Sequence, residues 1–154
     1  MEKFMKHTTL CYIEKDGAYL MIHRSKSKND GSGGLWMGVG GHFEDGESPF
    51  DCVLREVTEE TALTLLKPKY RGIVTFVSDR YETEYMHLFT CSEFSGELGE
   101  CSEGELHWVE KSRVSSLPSW EGDKIFLRLL EEREDFFSLK LVYKGNTLVS
   151  YKID

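Results

Sequence analysis

The sequence predicts an α/β domain in which helices pack on a mixed β-sheet. Three observations predict it. Short apolar runs of strand character recur along the chain between turn residues. They are interleaved with two segments whose apolar residues repeat at helical spacing. No repeat, linker or low-complexity stretch breaks the 154 residues, so residues 1–154 are read as one domain.

The elements follow in order. Thr8 to Glu14 and Ala18 to Arg24 are apolar runs around Lys15-Asp16-Gly17, the pattern of a β-hairpin. Ser25 to Gly34 is polar and glycine-containing and reads as a loop. Leu35 to Gly41 alternates large residues with glycines, which suggests backbone running close against a neighbour. Ser48-Pro49 starts a helix, with serine as N-cap, proline at N1 and Asp51 completing a variant capping box. Phe50, Val53, Leu54 and Val57 give that helix one apolar face, and it should end near Thr61. Tyr70 to Val77 and Glu84 to Cys91 read as strands, and Ser92 to Gly104 as an acidic loop. Leu106 to Glu110 follows as a short strand and Asp123 to Glu132 as a second helix. A terminal hairpin, Leu139 to Lys144 with Thr147 to Ile153, turns at Gly145-Asn146.

Composition narrows the function. Charged residues make up 30% and the formal net charge is -8. A chain this acidic is expected to bind neither a nucleic acid polymer nor an anionic membrane, because both call for basic patches. A small phosphorylated substrate remains compatible if a metal ion bridges the two anions. Met1 to Thr9 has no apolar core, and no segment approaches the roughly 18 apolar residues of a span. A cytoplasmic location follows as an expectation. Cys11, Cys52, Cys91 and Cys101 form no CxxC pair and are expected as free thiols.

Chemistry concentrates in Arg55-Glu56-Val57-Thr58-Glu59-Glu60. On the first helix, Glu56, Glu59 and Glu60 stand at i, i+3 and i+4 and share one face, set apart from the apolar one. Like charges so spaced cost about 0.2–0.5 kcal/mol per pair. A solvated acidic face tolerates that cost. A hard divalent cation would turn it into a gain, since magnesium takes carboxylate oxygens, keeps some waters and binds phosphates.

The context of these carboxylates decides between the two readings. Gly41, Glu47, Arg55, Glu56, Val57, Glu59, Glu60, Ala62 and Leu63 follow the pattern G-x5-E-x7-R-E-U-x-E-E-x-G-U, where U is apolar. The one departure is Ala62 in place of the second glycine. This segment resembles the Nudix box. Alanine disfavours positive φ, so a slightly altered helix exit is expected there, with no ligand lost.

The resemblance implies an α/β/α sandwich with a C-terminal hairpin, in which the box forms a loop-helix-loop. It implies hydrolysis of a nucleoside diphosphate linked to another group. Glu56, Glu59 and Glu60, with the carbonyl of Gly40, would bind magnesium or manganese. Arg55 would hold the glutamates, with Glu47 and Gly41 in support. The metal would neutralise the diphosphate and activate a water, whose proton passes to Glu59 or to Glu103 in the acidic loop.

The likeness extends to His23-Arg24, Trp36-Met37-Gly38-Val39-Gly40-Gly41, Glu103-Gly104 before Trp108, and Trp120-Glu121-Gly122-Asp123. These are similar to the MutT/MutX 8-oxo-dGTP diphosphatases and the related mammalian oxidised-purine triphosphatases. It implies hydrolysis of 8-oxo-dGTP to monophosphate and pyrophosphate, a nucleotide-pool sanitation that belongs with DNA repair. Trp120 would stack on the purine, Asp123 would meet its edge, Met37 would line the pocket and Arg24 would touch phosphate. The mammalian enzymes carry two adjacent aspartates where Gly122 and Asp123 stand, and an asparagine where Met37 stands, so base recognition transfers only in part. Other nucleoside diphosphate derivatives (ADP-ribose, dinucleoside polyphosphates, canonical triphosphates) or a non-catalytic nucleotide sensor remain alternatives. The retained glutamates favour an enzyme, as monomer or homodimer.

Overall fold

The computed structural model describes residues 5–25 and 33–154. The strands are β1 (Lys6–Lys15), β2 (Ala18–Arg24), β3 (Trp36–Met37) and β4 (Val39–His42). Helix α1 (Pro49–Thr61) follows, then β5 (Thr64–Leu65), β6 (Lys69–Ser78), β7 (Glu84–Cys91), β8 (Phe94–Ser95) and β9 (Gly104–Glu110). The chain ends with α2 (Lys111–Val114), α3 (Glu121–Glu132), β10 (Phe137–Lys144) and β11 (Thr147–Ile153). Most of the expected loop Ser25 to Gly34 lies outside the described residues.

The main sheet runs β11-β10-β6-β7-β1, with β10·β6 and β7·β1 parallel and the other pairs antiparallel. Long strand β1 joins this sheet to a second ribbon. Its body pairs β7 and β4, while its end, Glu14-Lys15, turns at Asp16-Gly17 into β2, which then pairs β3 and β9.

Because side chains alternate across a strand, β1 feeds two cores. Leu10 and Tyr12 join Leu88, Val74, Phe126 and Leu139 under α3. Cys11 and Ile13 join Phe89, Val39, Val53 and Val57 under α1. The result is a mixed sheet with helices on both faces, the expected α/β/α sandwich. All four cysteines are free thiols. Among the described residues no helix is long and apolar enough to cross a membrane.

Helix α1 begins as its sequence requires. Ser48 Oγ accepts from the Asp51 amide at 3.1 Å, and Asp51 Oδ2 accepts from the Ser48 amide at 3.0 Å, a cap worth about 1 kcal/mol. Its buried stripe differs from the expected one. Cys52, Val53, Val57 and Thr61 are buried, whereas Phe50 and Leu54 are 43% and 38% exposed. The helix is rolled toward β4, whose glycines leave room for Glu56: a Cβ on Gly41 would lie 2.4 Å from the Glu56 carboxylate. The glutamates therefore border the buried stripe instead of lying across the helix from it. Phe50 packs edge-on against Tyr70 and Phe89 at the rim.

The helix exit also corrects an expectation. Ala62 keeps the left-handed conformation, φ 66°, ψ 4°, in which glycine is the usual residue. An L-residue there costs roughly 1–2 kcal/mol. Hydrogen bonds hold the turn regardless: Thr61 Oγ1 donates to Val57 O at 2.6 Å, and Thr58 Oγ1 donates to Leu63 O at 3.1 Å. Other boundaries shift modestly. Helix α3 starts at Glu121 instead of Asp123, β9 starts at Gly104, and the β5·β8 pair and α2 carry no clear periodic signal.

Ala62→Gly should relieve the strain at this exit. Urea unfolding is expected to show a gain of about 0.5–1 kcal/mol, net of the extra chain entropy of glycine, with an unchanged m-value.

Candidate active site

One cavity of about 570 Å³ opens along the edge of the sheet near β4. At one end it is lined by Arg24, Gly40, Gly41, Glu56, Glu60 and Glu103. At the other it is lined by Phe76, Met86, Trp120, Asp123, Leu141 and Tyr143, together with Thr8 and Glu84. Met37 lies on its wall. Residues far apart in sequence thus meet in one volume.

The acidic end is organised by Arg55, which lies behind it. Its Nε and Nη2 donate to Glu47 Oε2 and Oε1 at 2.7 and 2.9 Å, a bidentate pair. Nη1 donates to Glu56 Oε1 at 2.8 Å and to Glu59 Oε2 at 3.1 Å, and Nη2 donates to the His42 carbonyl at 3.0 Å. Glu47 also accepts from the Glu44 amide at 2.7 Å. With Arg55 as the main cause, the Glu47 carboxyl is held down at about 2. One guanidinium thereby ties the loop of residues 42–47 to two helix carboxylates.

Glu60 is the strained member. Burial first, then the charge of Glu56, push its carboxyl up to about 8, while Arg24 and the Gly40 backbone pull it back. Its Oε2 is buried with no hydrogen-bond partner. An orphaned buried carboxylate oxygen beside further carboxylates suits a divalent cation. Among the described residues no three His, Cys, Asp or Glu side chains converge into a ready-made cage. Carboxylate oxygens such as those of Glu56 and Glu60 are of the kind a hard divalent cation takes. Glu59 stands apart: its side chain is 58% exposed, it pairs with Arg55, and it does not line the cavity. Glu103 does line it, ion-paired to Arg24 at 3.3 Å.

The two glycines of β4 explain how the helix carboxylates reach this cavity. A Cβ on Gly40 would lie 1.8 Å from Thr9 O, so the strand can pair with β1 only as glycine there. Gly41 leaves the space that Glu56 fills.

At the other end, Trp120 meets Phe76 and Tyr143 edge-on, with ring centroids 5.6 and 5.1 Å apart. Asp123 is 7% exposed and makes no side-chain hydrogen bond among the described residues. Burial, and then the charge of Glu84, push its carboxyl up to about 8. Tyr143 OH accepts from the Gly122 amide at 2.6 Å.

Residues 4–130 match the model of the NUDIX domain. The chain belongs to the Nudix family. It is a Nudix hydrolase; enzymes of this family act on phosphoanhydride bonds of nucleotide substrates and generally depend on a divalent metal. It is 27% identical over 157 residues to YvcI, an uncharacterized Nudix hydrolase of Bacillus subtilis, covering 98% of this chain and 96% of that one. It is 26% identical over 151 residues to the oxidized purine nucleoside triphosphate hydrolase of Danio rerio, covering 97% and 94%. Among solved structures it resembles the mutator MutT protein of Bacillus halodurans, with a TM-score of 0.86 and 26% identity, covering 97% of each chain.

In this Nudix chain the sequence-derived site residues separate into two groups. Arg24, Met37, Gly40, Gly41, Glu56, Glu60, Glu103, Trp120 and Asp123 line the cavity; Glu47, Arg55 and Glu59 stand behind or beside it. Sequence reading missed Thr8, Phe76, Glu84 and Tyr143. Strand alternation carried a signal for Thr8 and Glu84, which share parity with the core residues Leu10 and Leu88. Tyr143 has the same relation to Leu141. The absence of a side chain at position 122 is steric: a Cβ there would lie 2.4 Å from Leu141 Cδ1 and 2.8 Å from Tyr143 Oη.

Glu60 has a measurable consequence. A carboxyl with a folded pKa above its unfolded value binds protons more tightly in the native state. Metal-free protein should therefore lose stability as pH rises from about 4.5 to about 8. Glu60→Gln should flatten this part of the profile in thermal melts with chelator present; an unchanged slope would exclude Glu60 as its source.

Proposed function

We propose that the chain is a magnesium-dependent pyrophosphohydrolase of oxidised purine nucleoside triphosphates, with 8-oxo-dGTP as its leading substrate. The products are the monophosphate and pyrophosphate, and the role is nucleotide-pool sanitation in the cytoplasm. The observation that carries this reading is the two-ended cavity. It has carboxylates and an arginine at one end, and an indole with an unpaired carboxyl at the other. A nucleotide has the same polarity, with phosphates at one end and a flat hydrogen-bonding base at the other. The relationship to the Danio rerio enzyme supports the substrate class.

In this reading Glu56 and Glu60, with Glu59 and the Gly40 carbonyl, hold magnesium, and manganese can replace it. Such an ion, when bound, would offset the diphosphate charge and make water a better nucleophile. Arg55 and Glu47 keep the carboxylates oriented, supported by their bidentate pair and by Gly41 beneath Glu56. Arg24 meets phosphate. Water attacks phosphorus, the phosphoanhydride P–O bond breaks, and the proton goes to a carboxylate. Glu103 is favoured for that role because it lines the cavity; Glu59 is the competing acceptor. Trp120 stacks on the purine, Asp123 bonds its edge, and Met37 closes the wall. Residues 1–154 act as one domain, as monomer or homodimer, without a nucleic acid polymer or a membrane as partner.

The test is a pyrophosphate-release screen with magnesium over 8-oxo-dGTP, dGTP, ADP-ribose and a dinucleoside polyphosphate. We expect 8-oxo-dGTP to have the highest kcat/KM and chelation to abolish turnover. Better cleavage of ADP-ribose would sink the substrate assignment. Glu56→Gln should lower kcat by about 10²-fold or more. Of Glu59→Gln and Glu103→Gln, the variant that removes the proton acceptor should lose about 10²–10⁴ in kcat. Near wild-type turnover in both would rule out both candidates.

A further inference from the structure

The base end of the cavity holds a group that the proposed function does not use. Glu84 opens β7, and strand alternation points it to the same face as Met86 and Leu88. Lys6 and Thr8 of β1 lie beside it, because the parallel β1·β7 register sets Lys6 against Glu84 and Thr8 against Met86. Thr8 Oγ1 donates to Glu84 Oε2 at 2.8 Å, and Lys6 Nζ lies 4.0 Å from Oε1. Glu84 lines the cavity together with Phe76, Met86, Trp120 and Asp123.

This placement is costly without a ligand. An apolar wall suffices to stack a base, and a carboxylate among aromatic and aliphatic side chains gives up hydration. Thr8 engages one of about four acceptor sites on that carboxylate, and Lys6 lies at the limit of an ion pair. Glu84 is thus anchored by Thr8 and left with acceptor capacity. A second, independent observation points to a ligand here. Asp123 lines the same cavity, is only 7% exposed, and its carboxyl has no hydrogen-bond partner among the described residues.

Resting on the reading of this cavity as a nucleotide site, we infer that Glu84, held by Thr8 and Lys6, is a specificity-determining residue that selects purines whose edge carries adjacent N–H donors. A carboxylate only accepts hydrogen bonds. The N1–H and 2-amino group of a guanine-type base satisfy it in a bidentate pair. An adenine-type base offers a lone pair at N1 and leaves the carboxylate opposed by another acceptor. Sites that hydrogen-bond a ligand group reject analogues lacking it, because their own polar atoms are then left unpaired. Gly122 offers no side-chain acceptor beside Asp123, because Leu141 and Tyr143 fill the space a side chain would need there.

The test is a calorimetric titration of the full chain with GMP, IMP and AMP in chelator, which reads the base subsite without turnover. GMP should bind at least about 10-fold more tightly than AMP, with IMP between them. Glu84→Gln should reduce the GMP/AMP affinity ratio by about 10-fold, and Thr8→Val by less. Thermal melts establish that each variant folds; if Glu84→Gln does not, Thr8→Val decides alone. A wild-type ratio near one, or a ratio that neither folded variant changes, overturns the inference while the hydrolase reading stands. A Glu84-dependent ratio in a chain that releases no pyrophosphate from any nucleotide upholds it and sinks the hydrolysis reading. Failure to bind any of the three monophosphates overturns the base-reading role.

Discussion

The bidentate pair between Arg55 and Glu47 is the contact on which the acidic end of this protein depends. Three carboxylates on one short helix repel one another and would splay without a counter-charge. Arg55 supplies it from the helix itself and reaches back to Glu47 and to the His42 carbonyl. The loop between β4 and α1 is thereby fastened to the helix whose residues it must face. The charge count also matters. A guanidinium that engages Glu47, Glu56 and Glu59 at once cannot neutralise Glu60 as well, and Glu60 retains the buried, unpartnered oxygen.

A second constraint is steric. Helix α1 packs on one side of the sheet, while the aromatic end of the cavity lies on the α3 side. The carboxylates can contribute to that cavity only where β4 carries no side chains. Gly40 is required by its contact with Thr9, and Gly41 by the Glu56 carboxylate. The same gap accounts for the roll of α1 that leaves Phe50 and Leu54 at the rim. Packing of the helix and chemistry of the site are therefore set by one pair of glycines.

The base end depends on a different part of the chain. Trp120 and Asp123 precede or begin α3, but the surfaces that orient them belong to β6 and β10 through Phe76, Leu141 and Tyr143. Strand β10 lies beyond the residues that match the family domain. The matched part of the chain carries the acidic end and most of the base end, and Leu141 and Tyr143 of β10 complete the wall from outside it.

Local rules were enough to read much of this from sequence. The Ser48 capping box, the glycine turns and the extent of α1 are short-range and hold in the folded chain, although packing decided which apolar residues of α1 are buried. The spacing of Glu56, Glu59 and Glu60 is a property of the helix alone, and the order of strands and helices was legible for the same reason. Tertiary structure decided what local rules could not. It turned Glu59 out to solvent and Glu60 inward, because burial depends on what the helix packs against. It held Ala62 in a left-handed exit that its own preference opposes, through the hydroxyls of Thr58 and Thr61. It brought Thr8 and Glu84 together on the wall of the cavity that Trp120 also lines, because parallel pairing of β1 with β7 joins residues 76 positions apart, and no periodicity along the chain encodes that register.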